Sequence, residues 1–455
     1  MNEPIADVLV VGAGISGLAL AVALKDRGVA VRIVEAADAV GGNLRTERAV
    51  TPEGAWLLDL GPNSFGDAAK PFMDLVRAAG IEDRVVRSAA DASRRFIFRR
   101  GRLREVPSNP LKFLFSGFLP PRGVLRLLRE PFVRPRPVDA PEESLAEFCD
   151  RRLGRAAREK LLTPVVGGIY AGDPSQLGAE SAFPAMIALE REYGSLIRAA
   201  IKGKGPPSRG TLSSFVDGLC ELPAALARKL GDKVTTGAAV RRVARDGGVW
   251  RVETATGAFA ARRLAISTPA DATAGLVRDL DARLAAELDA IPYAPMAVVH
   301  VGVATSAIRN LPRGFGFLVP RDEGLRILGA IFSSHLFPGR APEGHVLMTV
   351  FTGGNLDPAA PSMSDAAIAE FVCGDLDRAL GLSSAPALLR VTRWPRAIPQ
   401  YFVGHRARVA RIDAAVRALP GLHLCGNWRG GIAMPDCARN ASALAGEIAA
   451  AGAGG

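Results

Sequence analysis

Three glycines near the beginning of the chain are spaced as a diphosphate-binding turn requires. Gly12, Gly14 and Gly17 form the pattern G-x-G-x-x-G, and Glu35 follows them. Such glycines permit a tight turn, a close approach of the backbone to a pyrophosphate, and close packing of a helix on a strand. A carboxylate placed as Glu35 is accepts hydrogen bonds from ribose hydroxyls. These residue types and spacings predict a dinucleotide-binding site.

The elements that position this site can be read on both sides of the glycines. Val8 to Val11 form a continuous apolar run suited to a buried parallel strand. A helical stretch follows Gly17, and a second strand ends at Glu35. Residues 8–24 carry no charge, but acidic residues precede them and glycines interrupt them. We therefore predict a strand–turn–helix–strand unit here rather than a signal peptide or a membrane span.

A second glycine pair lies in the stretch VGGNLRT. Gly41 and Gly42 allow another close approach of the backbone, and Asn43 and Arg45 come after them. This extension resembles the FAD-binding fingerprint of the flavin amine-oxidase superfamily rather than that of NAD dehydrogenases. The superfamily usually places Arg or Lys directly after the glycine pair, where this chain has Asn43.

The end of the chain predicts a strand, a glycine-rich loop and a final helix in GLHLCGNWRGGIAMPDCARNASALAGEI. The helix is expected to begin near Pro435, because proline suits a first helical turn. In the superfamily this loop and helix N-terminus face the flavin ring, where partial positive charge stabilises the anionic reduced flavin. Residues 233–269 alternate as a strand meander of the same domain. Val240, within the meander, suits a flavin contact and suits the core equally well.

An arginine-rich stretch, SRRFIFRRGRLR, covers residues 93–104. Its alternation around a glycine is typical of a short hairpin with one solvated face. From residue 94 to residue 136 there are eleven Arg, one Lys and two Glu, so 12 − 2 = +10 of the chain's net charge of +11 lies there. No zinc spacing, recognition helix or aromatic stacking strip accompanies this charge, so we do not expect nucleic acid as a partner.

Composition bounds the remaining possibilities. A chain of 455 residues with 48% hydrophobic content is expected to fold as two or three domains. Its five cysteines lack a CxxC pair and its five histidines are scattered. We therefore predict neither a metal site nor a disulfide framework, and we expect the protein to work in a reducing compartment. No G-x-S-x-G elbow is present, which argues against a serine hydrolase.

Six segments together resemble the protoporphyrinogen oxidase family, and the resemblance runs nearly end to end. They are LDLGPNSF (58–65), RRFIFRRGRLREVPSNP (94–110), GGIYAGDPSQL (167–177), GFGFLVP (314–320), LGAIFSSHLFPGRAP (328–342) and RWPRAIPQYFVGH (393–405). The resemblance implies a multidomain α/β fold of the α+β type. It comprises a Rossmann-like FAD-binding domain built from separated segments (1–85, 205–275 and 395–455), an inserted α-helical membrane-binding domain (86–204) and a mixed-sheet substrate-binding domain (276–394).

The resemblance also implies the reaction and its participants. FAD would oxidise protoporphyrinogen IX to protoporphyrin IX by three hydride transfers, and molecular oxygen would reoxidise the flavin and leave hydrogen peroxide. Such chemistry needs placement against the flavin more than an acid–base pair, so we predict no acid–base residue. The expected FAD-binding residues are Gly12, Gly14, Ile15, Ser16, Gly17, Glu35, Ala36, Gly41, Gly42, Asn43, Arg45, Gly61, Pro62, Val240, Trp394, Gly426, Asn427, Ile432 and Ala433.

The substrate-binding residues implied by the resemblance lie in five of these six segments. Arg95 matches an arginine that pairs with a substrate propionate, a task that suits the planar guanidinium fork. A surface arginine is the competing interpretation of Arg95. The other expected residues are Asn63, Gly168, Ile169, Leu318 and Phe332, and core packing would explain the apolar ones equally well.

The residues around the arginine-rich stretch predict a membrane face. Phe113, Phe115, Phe118 and Leu119 form an apolar run, and Arg122, Arg126 and Arg129 follow at helical spacing. A basic stripe beside aromatic surface suits monotopic attachment to an anionic leaflet, and an ordinary amphipathic helix packed on the core is the alternative. We expect a cytoplasmic enzyme attached peripherally to the cytoplasmic face of the inner membrane, and formation of a homodimer stays open.

Three other functions remain as alternatives. The nearest is oxidation of coproporphyrinogen III to coproporphyrin III by a soluble branch of the same family. An amine oxidase or a carotenoid desaturase of the same fold is a second. The absence of lysine after Lys233 and the presence of only four tyrosines weaken the amine oxidase, and a desaturase would not need an arginine that binds a propionate. A non-enzymatic flavin- or porphyrin-binding protein is the third, and the glycine-rich segments at both ends of the chain argue against it.

Overall fold

The computed structural model describes residues 5–107, 109–137, 139–205 and 210–452. The predicted segments 1–85, 86–204, 205–275 and 395–455 therefore include residues 1–4, 108, 138, 206–209 and 453–455, which lie outside the described residues. The strands, in chain order, are β1 (Ala6–Val11), β2 (Val31–Val34), β3 (Thr46–Thr51), β4 (Gly54–Asp59), β5 (Phe65–Gly66), β6 (Val85–Arg87), β7 (Arg95–Arg99), β8 (Arg102–Glu105), β9 (Leu212–Phe215), β10 (Val234–Thr235), β11 (Val240–Asp246), β12 (Val249–Thr254), β13 (Ala258–Ile266), β14 (Tyr293–Ala304), β15 (Gly316–Leu318), β16 (Gly329–Ile331), β17 (His345–Gly353), β18 (Leu388–Pro399) and β19 (Leu422–Leu424).

Some helices pack on the two sheets that are described below. Others, α3 to α10, form a separate helical region between strands β8 and β9 of the chain. The helices are α1 (Ile15–Lys25), α2 (Lys70–Ala78), α3 (Pro110–Leu114), α4 (Pro121–Leu128), α5 (Leu145–Arg152), α6 (Arg155–Ala157), α7 (Thr163–Tyr170), α8 (Ala179–Ala182), α9 (Pro184–Tyr193), α10 (Leu196–Ile201), α11 (Glu221–Leu230), α12 (Ala270–Val277), α13 (Ala282–Asp289), α14 (Ser333–Leu336), α15 (Asp365–Leu380), α16 (His405–Arg417) and α17 (Met434–Gly452).

The first sheet is the predicted Rossmann-like sheet. Its parallel strands β10, β2, β1, β13 and β19 lie side by side, and the antiparallel strands β12 and β11 extend it as the predicted meander. Val8 and Val10 of β1 pack on one hydrophobic core together with α1 and α17, while Leu9 and Val11 pack on a second core behind the sheet. Because helices cover both faces, β1 is apolar at consecutive positions rather than alternate ones.

The second sheet is mixed, as predicted for the substrate-binding domain. Its strand order is β18-β14-β17-β16-β15-β7-β8, and β15 runs parallel to β7 whereas the other neighbouring pairs are antiparallel. Helix α15 packs against one face through Ile368, Val372 and Leu376, which share a core with strands β14 and β17.

The arginine-rich stretch forms the predicted hairpin, but its place in the fold differs from the expected boundary. Strand β7 pairs with β15 through Arg95 and Gly316, so the hairpin belongs to the second sheet and not to the helical segment 86–204. Strand β18 likewise crosses the predicted boundary between residues 394 and 395. These boundaries follow hydrogen bonds between distant strands, which local sequence patterns do not reveal.

The helical region places the predicted basic stripe differently as well. Arg126 points inward, where its guanidinium donates to the carbonyl oxygens of Asp150, Arg151 and Arg152 at the end of α5. This arginine therefore caps a helix, whose last carbonyls carry partial negative charge. Phe118 and Leu119 are buried, whereas Phe115 is exposed. Within the described part of the chain, no helix has the length and apolar character needed to cross a membrane.

Three histidines, two of them buried and one half-buried, predict a loss of stability in mild acid. Burial lowers the pKa of His300, His405 and His423 to about 4, from an ordinary value near 6.5. The unfolded chain therefore binds more protons than the native protein between these values, and the free energy of unfolding falls as the pH falls from 6.5 toward 4. The slope contributed by each histidine reaches about 1.4 kcal/mol per pH unit.

Thermal unfolding followed by circular dichroism between pH 7.5 and 4.5 measures this loss. The variant His423→Gln removes one of the three groups without adding a charge, and we expect it to flatten the decline by about a third of the histidine contribution. A melting temperature that stays constant from pH 6.5 to pH 4.5 would contradict the assignment of three neutral imidazoles.

Candidate flavin and substrate site

One continuous cavity of about 2530 Å³ lies between the first sheet, the second sheet and the helical region. Its walls bring together most of the residues predicted from the sequence. Predicted residues that line it are Gly12, Gly14, Ile15, Ser16, Glu35, Ala36, Gly41, Gly42, Asn43, Gly61, Pro62, Asn63, Arg95, Gly168, Ile169, Val240, Leu318, Trp394, Gly426, Asn427, Ile432 and Ala433. Gly17, Arg45 and Phe332 lie outside the described lining.

The first glycine turn shows why each glycine is needed. Gly12 adopts a φ of +99°, a conformation that L-residues rarely adopt. A Cβ atom on Gly17 would lie 1.9 Å from the Gly12 carbonyl oxygen, so this glycine lets α1 pack against the turn. A Cβ on Gly14 would meet nothing within 4 Å, because this residue faces the open cavity. The turn thus leaves room for a diphosphate beside Gly14, at the N-terminus of α1.

Glu35 is held by two backbone N–H groups. The amide of Ala13 donates to Oε2 at 2.7 Å, and the amide of Ala37 donates to Oε1 at 2.9 Å. Each carboxylate oxygen can accept a further hydrogen bond, because it has more than one acceptor site. Glu35 lines the cavity after the second strand of the βαβ unit, so it is placed to accept from ribose hydroxyls.

The second glycine pair rests directly against the first turn. The amide of Gly41 donates to the Ala13 carbonyl at 2.8 Å, and the Cα of Gly14 lies 3.4 Å from where a Cβ on Gly42 would stand. A Cβ on Gly61 would lie 2.3 Å from the Asn43 carbonyl oxygen. The three glycine segments therefore form one wall where a ligand can approach the backbone closely.

Arg45 supports this wall from behind rather than lining it. Its Nε donates to the Gly42 carbonyl at 3.0 Å, and its guanidinium carbon lies 5.7 Å from the centre of the Trp394 ring. Trp394 in turn donates from Nε1 to the Leu60 carbonyl at 2.8 Å and lines the cavity. In this chain Asn43 lines the cavity and Arg45 does not.

The loop before α17 forms another wall of the cavity. Gly426, Gly430 and Gly431 all adopt positive φ angles, and Asn427 and Ile432 line the cavity beside them. Helix α17 begins at Met434, one residue before the predicted position. Its N-terminus and the preceding backbone therefore present partial positive charge to the cavity.

The predicted substrate residues occupy the part of the cavity beside the second sheet. Arg95 lines it at the start of β7, with its guanidinium carbon 5.3 Å from the centre of the Phe315 ring. Leu318 packs against the backbone of α7, where its Cδ2 would lie 2.9 Å from a Cβ on Gly168. Asn63 Nδ2 is buried without a hydrogen-bond partner among the described residues, so a donor is available to a ligand here.

Phe332 has a different position from the one expected. Its side chain is fully buried in the core of the second sheet, with ring contacts to Phe317 and His335. The ring of Phe317, which contacts Phe332, lines the cavity instead. Residues 315–318 alternate only weakly in hydrophobicity. The sequence therefore could not show whether Phe317 or Phe332 lines the cavity.

Two residues that sequence patterns did not single out also shape the site. Ser267 follows β13, and its hydroxyl lies 2.8 Å from the Gly12 carbonyl oxygen as a donor. Tyr401 is buried, lines the cavity, and contacts the loop before α17. Ser267 had a usable signal, because it follows a predicted parallel strand, and parallel strands end at the ligand-binding edge.

The chain matches the model of the family described as flavin containing amine oxidoreductase over residues 15–449. It is 33% identical to the chloroplastic protoporphyrinogen oxidase of Nicotiana tabacum over 97% of this chain and 85% of that protein. It is 28% identical to the coproporphyrinogen III oxidase of Bacillus subtilis (strain 168) over 96% of both. A solved structure from Exiguobacterium sp. 255-15 has the same fold, with a TM-score of 0.82, 23% identity and 98% of each chain covered.

The fold and the site thus define a flavin-dependent oxidoreductase. The chain belongs to the flavin-containing amine oxidoreductase family, and its cofactor is FAD. The residues fit that cofactor: the open space beside Gly14 suits the pyrophosphate, Glu35 suits a ribose, and the loop before α17 suits a ring that becomes anionic on reduction.

Proposed function

We propose that this protein oxidises protoporphyrinogen IX to protoporphyrin IX, with FAD as hydride acceptor and molecular oxygen as final acceptor. The observation that supports this proposal most is that the glycine turn and an apolar substrate side share one large cavity. We call this apolar side the chamber. It is lined by Ile169, Phe317 and Leu318, and Arg95 lies at its edge. Relatives that cover nearly the whole chain carry the names protoporphyrinogen oxidase and coproporphyrinogen III oxidase. A tetrapyrrole with apolar rings and carboxylate side chains suits such a chamber.

The residues of this chain bind and orient the substrate in this proposal. Arg95 pairs with a propionate through its planar guanidinium. Leu318 and Ile169 contact the faces of the macrocycle, and Gly168 leaves room for Leu318 beside α7. Bound FAD supplies the acceptor for each of three hydrides, and each reoxidation by oxygen yields one hydrogen peroxide. Rate enhancement then comes from placement and exclusion of water.

The charges of the chamber favour protoporphyrinogen over coproporphyrinogen. Among the described lining residues, the cations are Arg95, Arg406 and Arg439. Arg406 pairs with Glu180, and Arg439 pairs with Asp436 at 2.7 Å. Arg95 lines the cavity together with the apolar residues Phe315 and Leu318 of the substrate side. One such cation suits a substrate with two carboxylates better than one with four, because each carboxylate taken from water needs a partner.

Oxidation of both porphyrinogens in air, followed by porphyrin fluorescence and peroxide, tests the proposal. We expect faster oxidation of protoporphyrinogen IX, with three peroxides formed for each porphyrin. A preference for coproporphyrinogen III would overturn the assignment of the substrate while keeping the reaction. Failure to oxidise either would overturn the reaction and direct attention to amines as substrates.

We further propose that the segment 115–132 attaches the protein to the cytoplasmic face of a membrane. Phe115 and Phe132 are 88% and 82% exposed, and Leu125 and Leu128 are exposed between them. Arg122 and Arg129 are exposed in the same segment. Exposed aromatic residues beside basic residues suit an anionic lipid surface. This attachment would present the chamber to a poorly soluble substrate.

Sedimentation with anionic phospholipid vesicles measures this attachment. The double variant Leu128→Ser, Phe132→Ser is expected to weaken vesicle binding at least about tenfold, because two apolar side chains no longer leave water. Ile201→Ser is the matched control, since Ile201 is equally apolar and exposed but lies outside the segment. Equal binding by the double variant and the native protein would contradict this orientation.

A further inference from the structure

We infer that Tyr401 is a positioning residue for the flavin, because it holds the loop before α17 at two points. Its hydroxyl donates to the carbonyl oxygen of Asn427 at 2.6 Å and accepts from the amide of Gly431 at 3.1 Å. One side chain thus spans the loop from Asn427 to Gly431, its last glycine. The inference rests on FAD binding and not on the identity of the substrate.

The loop needs such support because its own backbone provides little. Gly430 and Gly431 have φ angles of +71° and +119°, and glycine loses the most conformational freedom when it is fixed. A Cβ on Gly431 would lie 2.4 Å from Asp436 Cγ, so the chain cannot gain stiffness here by a larger residue. Contacts from outside the loop must therefore fix its position.

Tyr401 is itself fixed by its neighbours. It is buried, and its ring stacks on the ring of His405 with a centroid distance of 4.2 Å and an angle of 9°. The Nε2 atom of His405 lies 2.9 Å from the Trp428 carbonyl oxygen, which gives the loop a third point of attachment. Burial raises the pKa of Tyr401 well above its usual value, so the hydroxyl keeps the proton that it donates.

The same tyrosine reaches the substrate side of the cavity. Its ring contacts the ring of Tyr170 in α7, with centroids 5.9 Å apart. The adjacent Gln400 donates from Nε2 to the Tyr170 carbonyl at 2.8 Å. Gly168 and Ile169, which line the substrate chamber, belong to the same helix. Tyr401 therefore sets the loop that faces the flavin relative to the helix that faces the substrate.

The variant Tyr401→Phe tests this role, because it keeps the ring and removes only the hydroxyl. We expect FAD to remain bound, with a changed shape of its visible absorption band and a lower reduction potential. The potential falls because the loop and the N-terminus of α17 relax away from the flavin, and their partial positive charge then stabilises the anionic reduced form less. The rate of flavin reduction at saturating substrate is expected to fall about tenfold, while KM changes little.

Two further variants separate positioning from general stability. Tyr293→Phe removes a half-buried hydroxyl that likewise accepts from a backbone amide, that of Ala270 at 3.0 Å, and Tyr293 is not among the described lining residues of the cavity. This control should leave the flavin potential and spectrum unchanged. His405→Phe keeps the stacked ring and loses the bond to Trp428, and it should lower the potential in the same direction by a smaller amount.

The outcomes are distinct. A native potential and spectrum in Tyr401→Phe would overturn the inference, as would an equal shift in Tyr293→Phe. If Tyr401→Phe cannot be purified as a folded protein, the flavin reduction potential of His405→Phe is the test. A native reduction potential in His405→Phe would then overturn the inference. Failure of the native protein to oxidise porphyrinogens would leave the potential and spectrum readable, so it would overturn the proposed function alone.

Discussion

Replacement of Gly17 by alanine is expected to yield a protein that retains no FAD through purification and unfolds at a lower temperature. The new Cβ would lie 1.9 Å from the Gly12 carbonyl oxygen and 2.4 Å from Ser267 Oγ. Both groups are fixed, because Ser267 donates to that carbonyl at the end of a parallel strand. Helix α1 must therefore move away from the turn, at a cost of about 1–3 kcal/mol for overpacking. Flavin absorbance per protein and the melting temperature measure both effects.

Two other glycine variants show whether position or composition matters. Gly374→Ala lies in α15, where a Cβ meets nothing within 4 Å, and it should keep FAD and raise stability by up to about 1 kcal/mol. Gly14→Ala should keep the native melting temperature of the FAD-free protein but bind FAD weakly, because its Cβ enters the space left for the pyrophosphate. If Gly17→Ala binds FAD like the native protein, the described packing of the turn is wrong.

Replacement of Arg95 by leucine is expected to lower kcat/KM for protoporphyrinogen IX about tenfold to a hundredfold, the cost of losing one charge-assisted hydrogen bond. Arg95 lines the substrate side of the cavity at the start of β7. The glycine turns that we expect to bind FAD lie beside the first sheet, so flavin content should stay native. Steady-state kinetics with both porphyrinogens, at equal flavin concentration, measures this effect.

Arg94 provides the matched control for Arg95. It is the preceding residue in the sequence, but it pairs with Glu105 at 2.8 Å on the surface and does not line the cavity. An exposed pair of this kind contributes little to stability, so Arg94→Leu should leave kcat/KM near the native value. Equal losses in both variants would attribute the effect to the hairpin rather than to a charge in the chamber.

Local sequence patterns predicted most of the dinucleotide half of the molecule. Gly12, Gly14 and Gly17 mark a turn whose strand and helix follow one another directly along the chain. Ser267, which donates to the Gly12 carbonyl, comes from a distant strand and was not predicted. The final helix was predictable for the same reason, since a glycine-rich loop and Pro435 stand together in the sequence.

The substrate half depends on contacts between distant segments, and there the sequence alone was insufficient. The hairpin of β7 and β8 was predicted, but its pairing with β15 joins residues far apart in the chain. The spacing of Arg122, Arg126 and Arg129 predicts one helical stripe, yet Arg126 turns to the end of α5 because carbonyl groups there need donors. Phe317 lies in the short strand β15, and Phe332 directly follows the short strand β16. Their sequence surroundings are alike, so only the packing of the second sheet shows that Phe317 lines the cavity.

Anaerobic mixing of the FAD-loaded protein with protoporphyrinogen IX tests the central claim most directly. If the chamber holds a porphyrinogen against the flavin, the absorption band of oxidised flavin should disappear rapidly, and Arg95→Leu should slow this step. Admission of oxygen should then restore the band. A flavin that stays oxidised with protoporphyrinogen and coproporphyrinogen, but is reduced by an amine, would contradict the account and reassign the chamber to amine oxidation.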